Sequence, residues 1–195
     1  MTATKQGKLV VLSGPSGVGK STVVPQVFER FLGKLIPSIS ATTRTPRPGE
    51  RDGVNYHFLE PAEFARRRDA GEFLETVEVF GRGHWYGTLW SAVRPRLAEG
   101  KWVLLEVDVA GAEKVLSQFP EAITIFILPS NIAELERRLR FRATETEEAV
   151  QRRLEVARRE IALADRYSYQ VVNDTVPQAV DKIVQILQEQ GILDD

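Results

Sequence analysis

The sequence predicts an α/β fold, a mostly parallel sheet covered by helices on both faces. Three observations carry that expectation. Short apolar, β-rich runs alternate with helical patterns along most of the chain, the arrangement of βαβ units. The first run, Leu9 to Leu12, breaks into a glycine-rich loop, Gly14-Pro15-Ser16-Gly17-Val18-Gly19-Lys20-Ser21-Thr22, and resumes as a helical pattern. A chain of 195 residues, 43% of them hydrophobic, holds one well-buried core and is too short for two ordinary domains.

Taken in order, the strand at Leu9–Leu12 is followed by a helix from about Lys20 to Leu32. Pro25 lies inside that helix, where it removes a hydrogen bond and crowds the carbonyl of Ser21, so a local kink is expected there. A second strand falls at Ile36–Ile39. Helical patterns follow at Pro61–Ala70 and Leu89–Ala98. A third strand is expected at Trp102–Val107, a helix at Ala110–Gln118 and a fourth strand at Ile123–Leu128. Two helical patterns follow, Ile132–Arg142 and Thr144–Ala164, the second opened by the capping-box spacing Thr144-Glu-Thr-Glu147. A short strand at Gln170–Val172 and a helix at Pro177–Gln190 close the order. Thr175 stands as the cap of that last helix and Pro177 in its first turn.

Composition excludes several classes. Twenty-six Lys and Arg against 27 Asp and Glu give a net charge of -1, so no overall basic field draws the chain to nucleic acid or anionic lipid. With no cysteine and two histidines, a disulfide framework, a thiolate metal site and a zinc centre are all disfavoured. The N-terminal residues lack the apolar core of a signal peptide, and no apolar run approaches the ~20 residues that cross a bilayer. A soluble, cytoplasmic protein is expected, a monomer or small homo-oligomer, with no membrane and no nucleic acid among its partners.

The loop at Gly14–Ser21 matches G-x-x-x-x-G-K-[ST] between a strand and a helix, the context that gives this motif its meaning. Without side chains at Gly14, Gly17 and Gly19 the backbone curls so that successive N–H groups and a helix N-terminus hold phosphate oxygens. Lys20 adds a positive charge over the β- and γ-phosphates, and the Ser21 hydroxyl is placed to ligate Mg²⁺. The second informative stretch runs from Ser38 to Phe58. Pro46 and Pro48 stiffen the segment carrying Arg44 and Arg47, which suits a phosphate, although residue types alone read equally as a solvated charged loop.

The loop, followed by Ser40-Ala-Thr-Thr-Arg44-Thr-Pro-Arg47-Pro-Gly-Glu50 and Asp52-Gly-Val-Asn-Tyr56-His-Phe58, resembles guanylate kinase, of the P-loop nucleoside monophosphate kinase family. The similarity continues through Gly71-Glu-Phe-Leu-Glu75, Tyr86-Gly-Thr88, Glu106-Val-Asp108-Val-Ala-Gly111, Arg142-Ala-Thr-Glu-Thr-Glu-Glu148 and Val172-Asn173-Asp174, roughly Lys8 to Leu187. The resemblance implies transfer of the γ-phosphoryl group of ATP to GMP or dGMP, with Mg²⁺. It implies a core near residues 1–37, 94–130 and 168–195, a GMP-binding lobe near 38–93 and a helical lid near 131–167.

By position, the resemblance gives Arg44, Arg47, Tyr56 and Tyr86 to the GMP phosphate and Ser40, Glu75, Thr88 and Asp108 to the guanine. A carboxylate at Glu75 accepts from both the ring N–H and the exocyclic amine of guanine, whereas adenine turns a lone pair toward it. Glu75 also reads as a surface acid. Glu106 stands where such enzymes keep an acid near Mg²⁺, directly or through water, but the family has aspartate there. Arg138, Arg142 and Arg153 match phosphate-binding arginines of the lid, within a run that also reads as a solvated, charge-alternating helix face. Asn173 matches a position beside the adenine of ATP, and reads equally as a turn residue.

Two departures stand out. The turn between Glu75 and Tyr86, through Arg82, His84 and Trp85, is about two residues longer than usual, which puts the place of Tyr86 in question. Phe141 and Ala143 flank Arg142 where glycines are common. His84 reads as a turn residue, and Trp85 and Trp90 as packing. Two rival readings are a non-catalytic guanylate-kinase-like interaction module, opposed by the intact loop, Arg44, Arg47 and Glu75, and a P-loop kinase for another small phosphorylated acceptor, opposed by Ser40 with Glu75.

Overall fold

The computed structural model describes residues 6–79, 83–141 and 147–192. Nine strands and seven α-helices alternate along these residues. β1 (Leu9–Ser13), β2 (Leu35–Pro37), β7 (Trp102–Glu106), β8 (Ile123–Pro129) and β9 (Tyr169–Asn173) form a five-stranded sheet in the order β2-β7-β1-β8-β9. β3 (Ala41–Thr42), β4 (His57–Phe58), β5 (Phe73–Val79) and β6 (His84–Leu89) form a separate four-stranded sheet in the order β4-β3-β6-β5. The helices are α1 (Lys20–Arg30), α2 (Pro61–Asp69), α3 (Trp90–Ala98), α4 (Val109–Gln118), α5 (Ile132–Phe141), α6 (Glu147–Ile161) and α7 (Val176–Glu189). No helix of the described residues is long and apolar enough to cross a membrane.

Contacts divide the chain into two compact units. The first comprises the described residues up to Val10 and Ile36–Ala122, the second Val11–Leu35 and the residues from Ile123 onward. In the first unit, Ala41, Phe64, Phe73 and Leu89 make an apolar cluster between α2 and the four-stranded sheet, with Trp85 packed against it. The Phe64 and Phe73 rings stack with centroids 4.5 Å apart. In the second unit, β8 and β9 run parallel with Pro129 opposite Asn173. The continuous burial of Ile123 to Ile127 in β8 is what a strand covered on both faces requires. Leu135, Leu139, Val150, Leu154 and Ala157 join α5 to α6 as a satellite core.

The expected strands and helices appear with small shifts of their ends. α1 is one helix with Pro25 inside it. Two findings differ. Thr175 is the N-cap residue of α7, but its hydroxyl bonds the Gln178 side chain at 2.9 Å and not the helix backbone. His84 opens β6 and is not a turn residue. The long helix is described from Glu147 onward, and the rest of its expected capping box, Thr144 to Thr146, lies outside the described residues. β3 to β6 carry no continuous apolar run and were not expected as strands from hydrophobicity.

Candidate active site

In the second unit, β1 ends at Ser13 and the loop enters α1 at Lys20. Gly14, Gly17 and Gly19 have φ of 154°, 87° and 103°, left-handed backbone that glycine adopts without strain. Space is as strict as conformation. A Cβ on Gly14 would lie 2.5 Å from the Ile127 carbonyl oxygen, and one on Gly19 would lie 2.5 Å from Asn173 Nδ2. The loop is therefore threaded between β8, the end of β9 and α5, whose Leu139 side chain leaves no room for a Cβ on Gly17.

The cations around the loop rest on oxygens of the loop itself. Lys20 Nζ donates to the carbonyls of Gly14 at 2.5 Å and Pro15 at 3.3 Å. Arg153 of α6 donates to Ser16 Oγ at 2.6 Å. Arg138 of α5 donates to the Val18 carbonyl at 3.2 Å and to Glu134 at 2.8 Å. Asn173, 1% exposed, donates from Nδ2 to the same Val18 carbonyl at 2.7 Å, while its buried Oδ1 accepts no hydrogen bond from the described residues. An open cleft of about 360 Å³ lies here, lined by Gly17, Gly19, Ser21, Thr22, Arg138 and Asn173. Arg137, Asp174 and Val176 complete its wall. Arg137 belongs to the arginine run of the expected lid, where it reads as part of a solvated helix face; the sequence predicts no role for Asp174 or Val176, since nothing in a lone acid or valine at a helix start marks it as lining a cleft. Arg142 lies outside the described residues.

The first unit carries a different cluster on the four-stranded sheet. Register sets it: Glu75 of β5 stands opposite Thr88 of β6, Val77 opposite Tyr86, and Tyr86 opposite Thr42 of β3. A bulge between Phe73 and Glu75 breaks the two-residue alternation, so Phe73 enters the apolar cluster while Glu75 turns to the other face. Glu75 is 6% exposed and accepts from Thr88 Oγ1 at 2.9 Å. Burial pushes its carboxyl up to about 7, with the Asp108 charge adding to the rise and the Thr88 bonds and Lys114 opposing it. Asp108 is the N-cap of α4, its Oδ1 accepting from the Gly111 amide at 2.7 Å. Glu106, exposed, ends β7 two residues earlier.

Arg44 follows β3 and is fully engaged. Its Nε donates to the Tyr86 hydroxyl at 3.0 Å, and Nη1 and Nη2 donate to the two Glu50 oxygens, both at 2.9 Å. The Tyr56 ring lies 5.5 Å from the guanidinium and edge-on to Tyr86. This pairing holds the Arg44 guanidinium above its usual range, while Arg44 and the Arg47 N–H hold Glu50 below the usual carboxylate range. Burial raises the Tyr56 phenol. Tyr86 therefore stays beside Arg44 despite the longer turn, of which Phe80 to Arg82 lie outside the described residues. Arg47 joins the cluster through its N–H, 2.7 Å from Glu50, with its side chain exposed. Ser40 immediately precedes β3, its carbonyl accepting from the His57 N–H at 2.9 Å. The part played by Glu50 was missed; its signal is an acid closing the turn that begins at Arg47.

Trp85 packs 6.2 Å from Phe64 under Arg68, and Trp90 lies against Phe119 and Arg94, so both are packing residues as expected.

A parallel sheet ending in a glycine-lined, cation-ringed loop defines a P-loop phosphate-binding protein of the α/β class. Residues 6–190 match the guanylate kinase family. A guanylate kinase of Rhodopirellula baltica is 50% identical over 185 residues, which cover 94% of this chain and 88% of the relative. One from Mycobacterium leprae is 50% identical over 184 residues, covering 94% and 87%. The crystal structure of guanylate kinase from Anaplasma phagocytophilum matches with a TM-score of 0.79 at 31% identity, covering 97% of this chain and 89% of that one. The chain belongs to the guanylate kinase family.

Proposed function

We infer that this protein is an ATP:GMP phosphotransferase, a guanylate kinase that moves the γ-phosphoryl group of ATP to GMP or dGMP and releases ADP and GDP. The observation that carries the acceptor assignment is the buried Glu75 carboxyl, bonded to Thr88 on the same sheet that holds the Arg44–Tyr86 pair. In its charged form Glu75 accepts from the guanine ring N–H and exocyclic amine together, and Ser40, Thr88 and Asp108 complete the base contacts. Adenine offers neither donor and leaves the buried charge unpaired, which costs far more than a lost surface contact. Arg44, Arg47, Tyr56 and Tyr86 take the GMP phosphate.

The donor nucleotide belongs to the loop at Gly14–Thr22. Lys20 exchanges main-chain carbonyls for phosphate oxygens, a stronger charge-assisted bond. Arg138 and Arg153, and Arg142 by position, supply positive charge where the transferring group develops negative charge. By position Asn173 takes the adenine of ATP, and its Oδ1, which accepts no hydrogen bond from the described residues, supports that reading. Ionised GMP phosphate needs no general base, so the residues act by positioning and charge. We place the GMP-binding lobe at about 38–93 and the lid at about 131–167.

Among the described residues no three acidic or histidine side chains gather as a metal cage. The hard oxygens on offer, the Ser21 hydroxyl and the Glu106 carboxylate, suit Mg²⁺, which keeps waters and is completed by substrate phosphates. Ser21 would hold the ion, and Glu106 is the acid that the family position assigns to it, directly or through water. When bound, Mg²⁺ would supply positive charge against the phosphates of the donor nucleotide.

A coupled assay with Mg²⁺ and ATP tests the reading. GMP is expected to turn over at least about 10³-fold faster, by kcat/KM, than AMP, CMP or UMP. Equal rates on AMP would overturn the acceptor assignment.

A further inference from the structure

β5 is the edge strand of the four-stranded sheet, bonded by β6 along one side only. Its other side is gripped by α4. Gln118 Nε2 donates to the Leu74 carbonyl at 3.0 Å, and Lys114 Nζ donates to the Thr76 carbonyl. Leu74 and Thr76 are the two neighbours of Glu75. The spacing explains why two helix side chains reach two strand carbonyls. Residues four apart on a helix share a face and lie about 6 Å apart along it, and carbonyls two apart on a strand share an edge and lie about 6.8 Å apart. The grip also satisfies edge groups that otherwise await a strand.

The same helix reaches the Glu75 carboxyl with its N-terminus. Asp108 caps it, and a Cβ on Gly111 would lie 3.3 Å from Glu75 Oε2 and 3.2 Å from Asp108 Oδ1. So α4 touches Glu75 through its first turn and fixes the backbone on either side of it through its last two. We propose that Lys114 and Gln118 are positioning residues for guanine selection, holding β5 in register with α4 so that Glu75 and Asp108 meet the base edge in one arrangement. This rests on the assignment of Glu75 to guanine. The charged groups facing Glu75 are Asp108 and Lys114, both from α4, while Thr88 of β6 is neutral. Lys114 therefore also favours the charged form of Glu75, which Gln118 does not.

The test measures kcat/KM for GMP and for IMP, which lacks the exocyclic amine, in Lys114→Met and Gln118→Leu. Both residues lie on the exposed side of α4, and thermal unfolding checks that both variants fold. Each variant is expected to lower the GMP-over-IMP preference by roughly five- to tenfold, with KM for ATP unchanged. Lys114→Met is also expected to move the acid limb of the GMP profile to higher pH, Lys114→Arg to restore it, and Gln118→Leu to leave it in place. In a Glu75→Gln background both variants are expected to change the preference by less than about twofold. A wild-type preference in both variants, or an equal loss without Glu75, would overturn the proposal. No GMP-over-IMP preference in the unmutated protein would instead overturn the assignment of Glu75 beneath it.

Discussion

The donor and acceptor halves of the proposed machinery hold their charges differently. Around the loop of the second unit, Lys20 and Arg153 donate to oxygens of Gly14, Pro15 and Ser16, while Arg138 is shared between the Val18 carbonyl and the Glu134 carboxylate. On the four-stranded sheet of the first unit, Arg44 is bound by a carboxylate and a second carboxyl, Glu75, is buried. A phosphate easily displaces a carbonyl from a cation, because the new bond is charge-assisted on both sides. A phosphate reaching Arg44 must instead compete with Glu50. The first arrangement suits tight binding of any nucleoside triphosphate tail. The second suits choice, because a buried acid and a pre-paired arginine penalise every ligand that does not satisfy both.

The sharpest way to break this comparison is to remove the donor half's central charge. Lys20→Ala is expected to lower kcat by about 10³-fold. The fold should survive, since the Lys20 side chain donates to the Gly14 and Pro15 carbonyls of its own loop rather than into the core, and far-UV circular dichroism and Tm check that. Activity within tenfold of wild type would mean that main-chain amides suffice and that the contrast between the halves is false.

On the acceptor side Glu75→Gln is expected to lower kcat/KM for GMP by roughly 10²-fold while KM for ATP moves by less than about threefold. The amide keeps the shape and the bond to Thr88 but presents an N–H₂ group to at least one guanine donor. Steady-state kinetics with each substrate varied in turn separate the two effects. Equal losses for both nucleotides would merge the halves into one site with no division of labour.

The halves also differ in how legible they are in the sequence. The loop at Gly14–Ser21 is contiguous, and its chemistry lies in the backbone, so the glycines spell out where a Cβ has no room. Gly19 against Asn173 shows it. The acceptor cluster is written across four short strands whose residues are half apolar and half polar. Hydrophobic runs do not reveal them. Even a strict alternation would send Phe73 and Glu75 to the same face, and only the bulge between them separates a core residue from a binding residue. The Glu50 grip on Arg44 depends on loop closure, and the grip of Lys114 and Gln118 on β5 depends on packing between elements some forty residues apart. Resemblance supplied Glu75 and Arg44; nothing local supplied what holds them.

The mildest test of the contrast is pH. Glu75 titrates near 7 in the folded chain because burial disfavours its charge, yet guanine needs that charge to accept its two N–H groups. Between pH 7 and pH 6 the charged fraction, and with it kcat/KM for GMP, falls by about fivefold. GMP phosphate titrates in the same range, so the readout is the ratio of wild type to Glu75→Gln, in which the ligand's own ionisation cancels. That ratio is expected to fall as pH drops through 7. Stability runs the other way. A carboxyl raised from 4.5 to about 7 binds its proton more tightly folded than unfolded, so its contribution is fully present below pH 4.5 and is lost as pH rises through 7. The loss is on the order of 3 kcal/mol, and urea unfolding at pH 5 and pH 8 should show it in wild type and not in Glu75→Gln. A flat ratio together with a flat stability difference would mean that Glu75 stays charged throughout, and that the acceptor half stores no strain against its own ligand.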